Sequence, residues 1–412
     1  MDSLPLGKLQ SASSHDSETV SFRGLSASGF RPLFFAAALS AVLTVPLWLF
    51  ALSGSASLGT AYLQPMSWHA HEMVFGYASA VVAGFLLTAV KNWTGRETAT
   101  GGFLYGVVFL WFLGRLVLLA GASLPKPLVA IVDLAFVPAI AVAIGRPIVA
   151  SNNKRNFVML AVLGALFAAN LAVHLDALGI FAGGTGWQLR GSHAGVDILV
   201  LLCVIIRGRV VPMFTRNGAS SKTVVSVPAL DTAATVAVAA YAIFDVSAVS
   251  SRASCIAAAV GSLILVARSV RWGSISALSH PLLWILHFGH AWIIVGLGLR
   301  AASIVFVSIP QAAATHALTV GAIGSLTLGM MARVSLGHTG RSLHVGPVTV
   351  VGFAAITLAA LLRVVGSFIS PVRASYLTVL EASGALWSIA YALYVVAYAK
   401  ILFTPRVDGK PG

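Results

Sequence analysis

Eleven histidines lie along this chain of 412 residues, and two of them are related by a repeat. Residues His71 to Arg96 align without a gap to His316 to Arg341. The alignment pairs Gly76 with Gly321, Gly84 with Gly329 and Thr94-Gly95-Arg96 with Thr339-Gly340-Arg341. A neutral imidazole offers a lone pair to iron or copper, and inside hydrocarbon that polar ring is costly unless the lone pair is used. Glycines eight apart fall on one helical face, where a flat macrocycle or another helix can approach the backbone. His71 and His316 are therefore the first candidate pair, as axial ligands of one haem iron. Residues two apart on a helix point about 200° apart, so His69 and His71 serve different sites. His69, with His174 and His193, is a candidate ligand of a second metal at the same depth, and nitrogen donors suit copper. His287 and His290 share one helical face and could hold an ion, with His338 as a further candidate nearer the opposite surface. Each residue also has a plainer reading, in which the histidines hydrogen-bond across helices and the glycines let helices pack.

The ionisable residues that folding needs least are Glu72, Asp133, Asp176 and Asp197. Carboxylates within a membrane pair with cations or relay protons. Arg115 and Arg300, at similar depth, are either their partners or bidentate holders of haem propionates.

The elements that must position these groups are membrane helices. The composition is 58% hydrophobic and 9% charged, against about 25% charged in an ordinary soluble domain. Apolar runs predict an all-α, polytopic membrane protein with twelve spans near 32–52, 68–90, 102–121, 128–149, 157–180, 193–211, 228–248, 253–270, 281–307, 314–334, 347–369 and 376–402. One transmembrane domain at 31–403 then lies between a disordered tail at 1–30 and a short tail at 404–412. The net charge of +14 comes from scattered Lys and Arg rather than one basic face, so a nucleic-acid partner is not expected. With Arg115, Arg300 and Arg363 assigned to helix interiors, only Lys126, Arg190, Arg252 and Arg373 fall on the side away from the termini. The positive-inside rule then places both termini in the cytoplasm and the His69–His71, His193 and His316 ends outside. Cys203 and Cys255 are the only cysteines, too few for a disulfide framework or a Cys-based zinc site, and too far apart for a C-x-x-C-H haem attachment.

The repeat-related second and tenth spans, with the sixth matching loosely through His193 and Phe214-Thr215-Arg216, suggest three pseudo-repeated four-helix units. That plan is similar in architecture to the catalytic subunits of haem–copper oxidases and nitric oxide reductases. The motifs Trp68-His69-Ala70-His71-Glu72-Met73, Gly84-Phe85-Leu86-Leu87-Thr88-Ala89-Val90, Asn92-Trp93-Thr94-Gly95-Arg96 and Ser335-Leu336-Gly337-His338-Thr339-Gly340-Arg341 resemble the NnrS family over nearly the whole chain. The resemblance implies a bacterial inner-membrane protein with haem and copper, acting in nitric oxide metabolism and nitrosative-stress protection. It also implies functional residues at His69, His71, Glu72, His174, His287, His316 and His338. The expected ligand is nitric oxide or an iron-nitrosyl species, and reduction would draw on an external quinol or cytochrome. A transporter whose intramembrane His, Asp and Arg line a substrate or proton path is the alternative, and a haem-binding sensor without turnover is a third.

Overall fold

The computed structural model describes residues 22–54, 62–181, 186–219, 223–369 and 374–410. Most of the tail expected at 1–30 lies outside these residues. Among them, twelve helices are long and apolar enough to cross a membrane, and no strand occurs. They are α1 (Phe30–Leu52), α2 (Pro65–Thr94), α3 (Gly101–Leu119), α4 (Lys126–Ala150), α5 (Lys154–Ala177), α6 (Trp187–Gly218), α7 (Pro228–Ser247), α8 (Ser251–Ser269), α9 (Pro281–Val305), α10 (Gln311–Gly337), α11 (Pro347–Gly366) and α12 (Ser375–Phe403). The chain is thus an all-α polytopic membrane protein. Successive helices pack side by side, and α12 returns to lie against α1. The ring encloses α2 and α10, the two most buried helices.

Several helix ends differ from the hydropathy reading. α2 starts earlier because Pro65 at its first turn needs no N–H partner. α6 starts at Trp187 and runs on through Pro212 to Gly218. At about 1.5 Å per residue it exceeds a ~30 Å hydrocarbon layer. α4 is broken at Ala135, between Lys126–Leu134 and Phe136–Ala150. Pro138 has no N–H to give the Leu134 carbonyl, which interrupts the helix two residues beyond Asp133.

The sequence repeat has a structural counterpart. α2 carries a π-helical segment at Glu72–Ala78, and α10 carries one at Ala317–Gly324, each directly after the repeat-related histidine. Such segments often mark functional sites, because the extra residue in the turn re-aims the side chains around it. The repeated glycines do not leave an open stripe, however. A Cβ at Gly76 would strike Arg115, at Gly84 Phe34, at Gly321 Trp292 and at Gly329 Ile285. These glycines let neighbours pack, and none of the four opens a slot for a flat ring.

Close approach of α5 and α6 rests on Gly191, where a Cβ would sit 2.7 Å from the Ala169 carbonyl oxygen. Gly191→Leu should lower the thermal unfolding midpoint of the detergent-solubilised protein, an overpacking cost of about 1–3 kcal/mol. Gly164→Leu, with nothing within 4 Å of its Cβ, should leave the midpoint unchanged; equal effects would refute this packing account.

Candidate metal centre

Two groups of histidines occupy the end of the bundle away from the chain termini, on opposite faces of the first turn of α2. One is a closed polar cluster around Asp133, which is buried just before the bend in α4. Its Oδ1 accepts from Arg115 on α3. Its Oδ2 lies 2.9 Å from Asn170 Nδ2, 3.0 Å from His174 Nε2 and 3.3 Å from His71 Nε2. Asn170 and His174 are four apart on α5 and so share a face. Asn170 also places its Oδ1 2.8 Å from His71 Nε2. The outward nitrogens of both rings have oxygen neighbours: Tyr62 Oη lies 2.6 Å from His174 Nδ1, and Glu72 Oε1 lies 3.5 Å from His71 Nδ1. Arg115 Nη1 approaches Glu72 Oε2 at 3.5 Å. His71, Asp133 and His174 each offer a ligand atom within 4.8 Å of the others, so this buried cluster can hold a metal ion.

The other group lines a cavity of about 250 Å³ among α1, α2, α6, α10, α11 and α12. His69, His193 and His316 reach it from three helices, alongside Arg363, and most of the remaining lining is apolar. His69 stacks on Trp48, with ring centroids 4.1 Å apart and an interplanar angle of 18°. Its Nδ1 is buried without a hydrogen-bond partner. His316 Nδ1 donates to the Ala312 carbonyl at 2.7 Å, which leaves the Nε2 lone pair free. Imidazoles that ligate metals are commonly oriented in this way. His193 and Thr315 also line a smaller crevice that leads to Asp197, Asp245 and Arg300.

The structure separates the expected axial pair. His71 is enclosed by the Asp133 cluster, whereas His316 faces the cavity, where the histidine from α2 is His69. The reason is the 200° between His69 and His71: when one faces the cavity, the other faces α4 and α5. For the same reason His69 does not join His174. Of the two readings for the guanidiniums, carboxylate partners or haem propionates, the structure shows the ion pairs, Arg115 with Asp133 and Glu72, and Arg300 with Asp245 at 2.6 Å.

The other three expected ligands do not converge. His287 is held between the hydroxyls of Thr215 and Ser274, each at 3.0 Å. His290 lies against Trp272 and the Leu265 carbonyl. His338, just past α10, packs on Phe30, and burial together with the Arg406 and Lys91 charges lowers its pKa. Sequence reasoning missed Asn170, Tyr62 and the cavity position of Arg363. Only Asn170 left a signal, as a lone amide four residues before His174 in an apolar run.

The donor chemistry of the cavity suits a haem or copper centre: a ring nitrogen without a partner, an imidazole oriented by a carbonyl and a cation for an acidic substituent. Its volume is just under the roughly 300–1,000 Å³ of sites for drug-sized ligands. A metal ion with a diatomic molecule fits the cavity as it stands, and a haem requires its side-chain walls to yield.

Removing Asp133 leaves Arg115 buried without its main counter-charge. Asp133→Leu should therefore destabilise the protein by about 3–5 kcal/mol, and Asp133→Leu with Arg115→Met should recover the part of that loss that comes from the stranded guanidinium. Thermal unfolding of the two variants checks this; a double variant no more stable than the single one would refute it.

No curated protein matches the chain. The family model described as NnrS protein matches residues 24–406, nearly its whole length. On that match, and with the helical membrane fold and buried histidine centres already described, the chain belongs to the NnrS family.

Proposed function

We propose that this is a bacterial inner-membrane protein, with both termini in the cytoplasm, that binds haem b and copper and takes up nitric oxide or an iron-nitrosyl species in the nitric oxide response. The family supports the link to nitric oxide. The observation that carries the metal reading is the single cavity reached by His69, His193 and His316 from three helices. The chain's contribution is orientation and solvent exclusion. Ala312 fixes the His316 tautomer, Trp48 holds the His69 ring, and Arg363 supplies positive charge at the wall. The apolar lining suits a small neutral diatomic better than water or an ion. A haem iron or copper held by His69 and His316 would supply the electron density that retains nitric oxide. Reduction, as opposed to binding, would draw electrons from outside the chain, from a quinol or a cytochrome.

Reduced-minus-oxidised spectra, metal analysis and anaerobic nitric oxide titration of one purified sample test this reading. A coloured, metal-containing protein whose spectrum shifts with nitric oxide is expected. His69→Ala and His316→Ala should each lose or alter the spectrum, and His280→Ala should not. Consumption of nitric oxide by the reduced protein would mark turnover. Colourless protein that ignores nitric oxide would sink the proposal and favour the transporter.

A further inference from the structure

His71 poses a protonation problem that its surroundings do not resolve. Its Nε2 faces two acceptor oxygens, Asn170 Oδ1 at 2.8 Å and Asp133 Oδ2 at 3.3 Å. Its Nδ1 faces Glu72 Oε1 at 3.5 Å without a hydrogen bond, and both of those atoms are buried and unpartnered. In either neutral tautomer one bare nitrogen lone pair therefore points at oxygen. An unmade bond of this kind is costly in a buried setting. A cation on the Nε2 lone pair, with the Nδ1 proton turned toward Glu72 Oε1, uses both nitrogens.

Three further observations favour a cation. The donors converge on one point, since His174 Nε2 lies 3.0 Å from the same Asp133 Oδ2. Ligand atoms about 2.0–2.1 Å from a tetrahedral ion stand about 3.3 Å from one another, close to the spacings seen here. The outward nitrogens also have the oxygen neighbours usual behind metal-bound imidazoles, Tyr62 for His174 and Glu72 for His71. Finally, Asp133 and Glu72 place two carboxylates beside a single guanidinium, Arg115, so the formal charges of the side chains leave an uncompensated negative charge.

We propose that His71 Nε2, His174 Nε2, Asp133 Oδ2 and Asn170 Oδ1 form a closed site for one divalent first-row ion, Zn²⁺, Fe²⁺ or Mn²⁺, separate from the haem and copper of the cavity. Two imidazoles, a carboxylate and an amide oxygen suit these ions, whereas Cu(I) prefers softer donors. The site has no open face, so its role is to tie α2, α4 and α5 together. A structural ion contributes its binding energy to folding.

The test is elemental analysis of full-length protein purified without a histidine tag, with haem iron and copper measured separately. About one equivalent of non-haem divalent metal is expected. His174→Gln, which keeps hydrogen-bonding capacity toward Tyr62 and Asp133, should lower that content about tenfold or more, and His316→Ala should retain it. Should His174→Gln not fold, two measurements on the wild type still decide. A strong chelator should lower the unfolding midpoint and Zn²⁺ should restore it, and Co²⁺ loaded after chelation should give the visible absorption of a four-coordinate N/O site. Wild-type protein lacking non-haem metal, with an unfolding midpoint indifferent to chelator and nitrogen NMR showing a doubly protonated His71, overturns the proposal. Haem and nitric oxide spectra from the same samples separate the two readings. Colourless protein that holds the ion sinks only the cavity reading, and haem-replete protein without the ion sinks only this one.

Discussion

A carboxylate buried in the hydrocarbon layer must be surrounded by donors, and Asp133 is surrounded by donors from three other helices. Arg115 on α3, His71 on α2, and Asn170 and His174 on α5 all reach its two oxygens. Between apolar helix faces lipid competes on nearly equal terms, so packing alone fixes register weakly. A charged hub is different. Sliding any one of these helices by a turn would move its donor about 5.4 Å and leave the carboxylate short of a partner. The bend that Pro138 introduces beyond Asp133 belongs to the same arrangement, since it turns the lower part of α4 independently of the segment that carries the hub.

The π-helical segments add a second constraint. Each follows its histidine directly and changes the direction of the residues beyond it relative to those before. In α2 this brings Gly76 against Arg115, while Tyr77 borders the cavity. The equivalent segment in α10 sets Gly321 against Trp292 of α9. The repeat therefore preserves the local shape of two inner helices, but each packs against different neighbours. Equivalent histidines thus occupy equivalent places on their own helices and point into different surroundings.

That distinction explains what the sequence made legible. The twelve spans could be read because hydrophobic length is a property of each segment alone. The repeat could be read from His, Gly and Thr-Gly-Arg at one offset, and the opposed faces of His69 and His71 from their spacing. The partner of each face could not be read, since it depends on how helices close into a ring. The repeat pairs His71 with His316 by symmetry, whereas the histidine that shares the cavity with His316 from α2 is His69, two residues away. Arg115 and Arg300 were open to two readings for a similar reason: the carboxylates that take them, Asp133 and Asp245, are fixed by tertiary neighbours. Asn170 carried too little signal by itself, because a single amide in an apolar helix gains meaning only beside Asp133.

The two centres share one short, stiff element. His69 and His71 both belong to the seven-residue turn Pro65–His71, which starts at a proline and ends at the π-helical segment. Within so short a helical piece the backbone hydrogen bonds fix the angle between the two rings, so neither can rotate about the helix axis without moving the other. The contacts that clamp His71 among Asp133, Asn170 and Glu72 therefore also set the direction in which His69 enters the cavity. An imidazole lined up with a cavity by stacking on Trp48 alone would be free to slide along the indole face. Tied through Ala70 to a polar cluster that cannot shift without breaking several buried hydrogen bonds, it keeps one position. The closed cluster is thus the anchor that makes the open cavity a defined site.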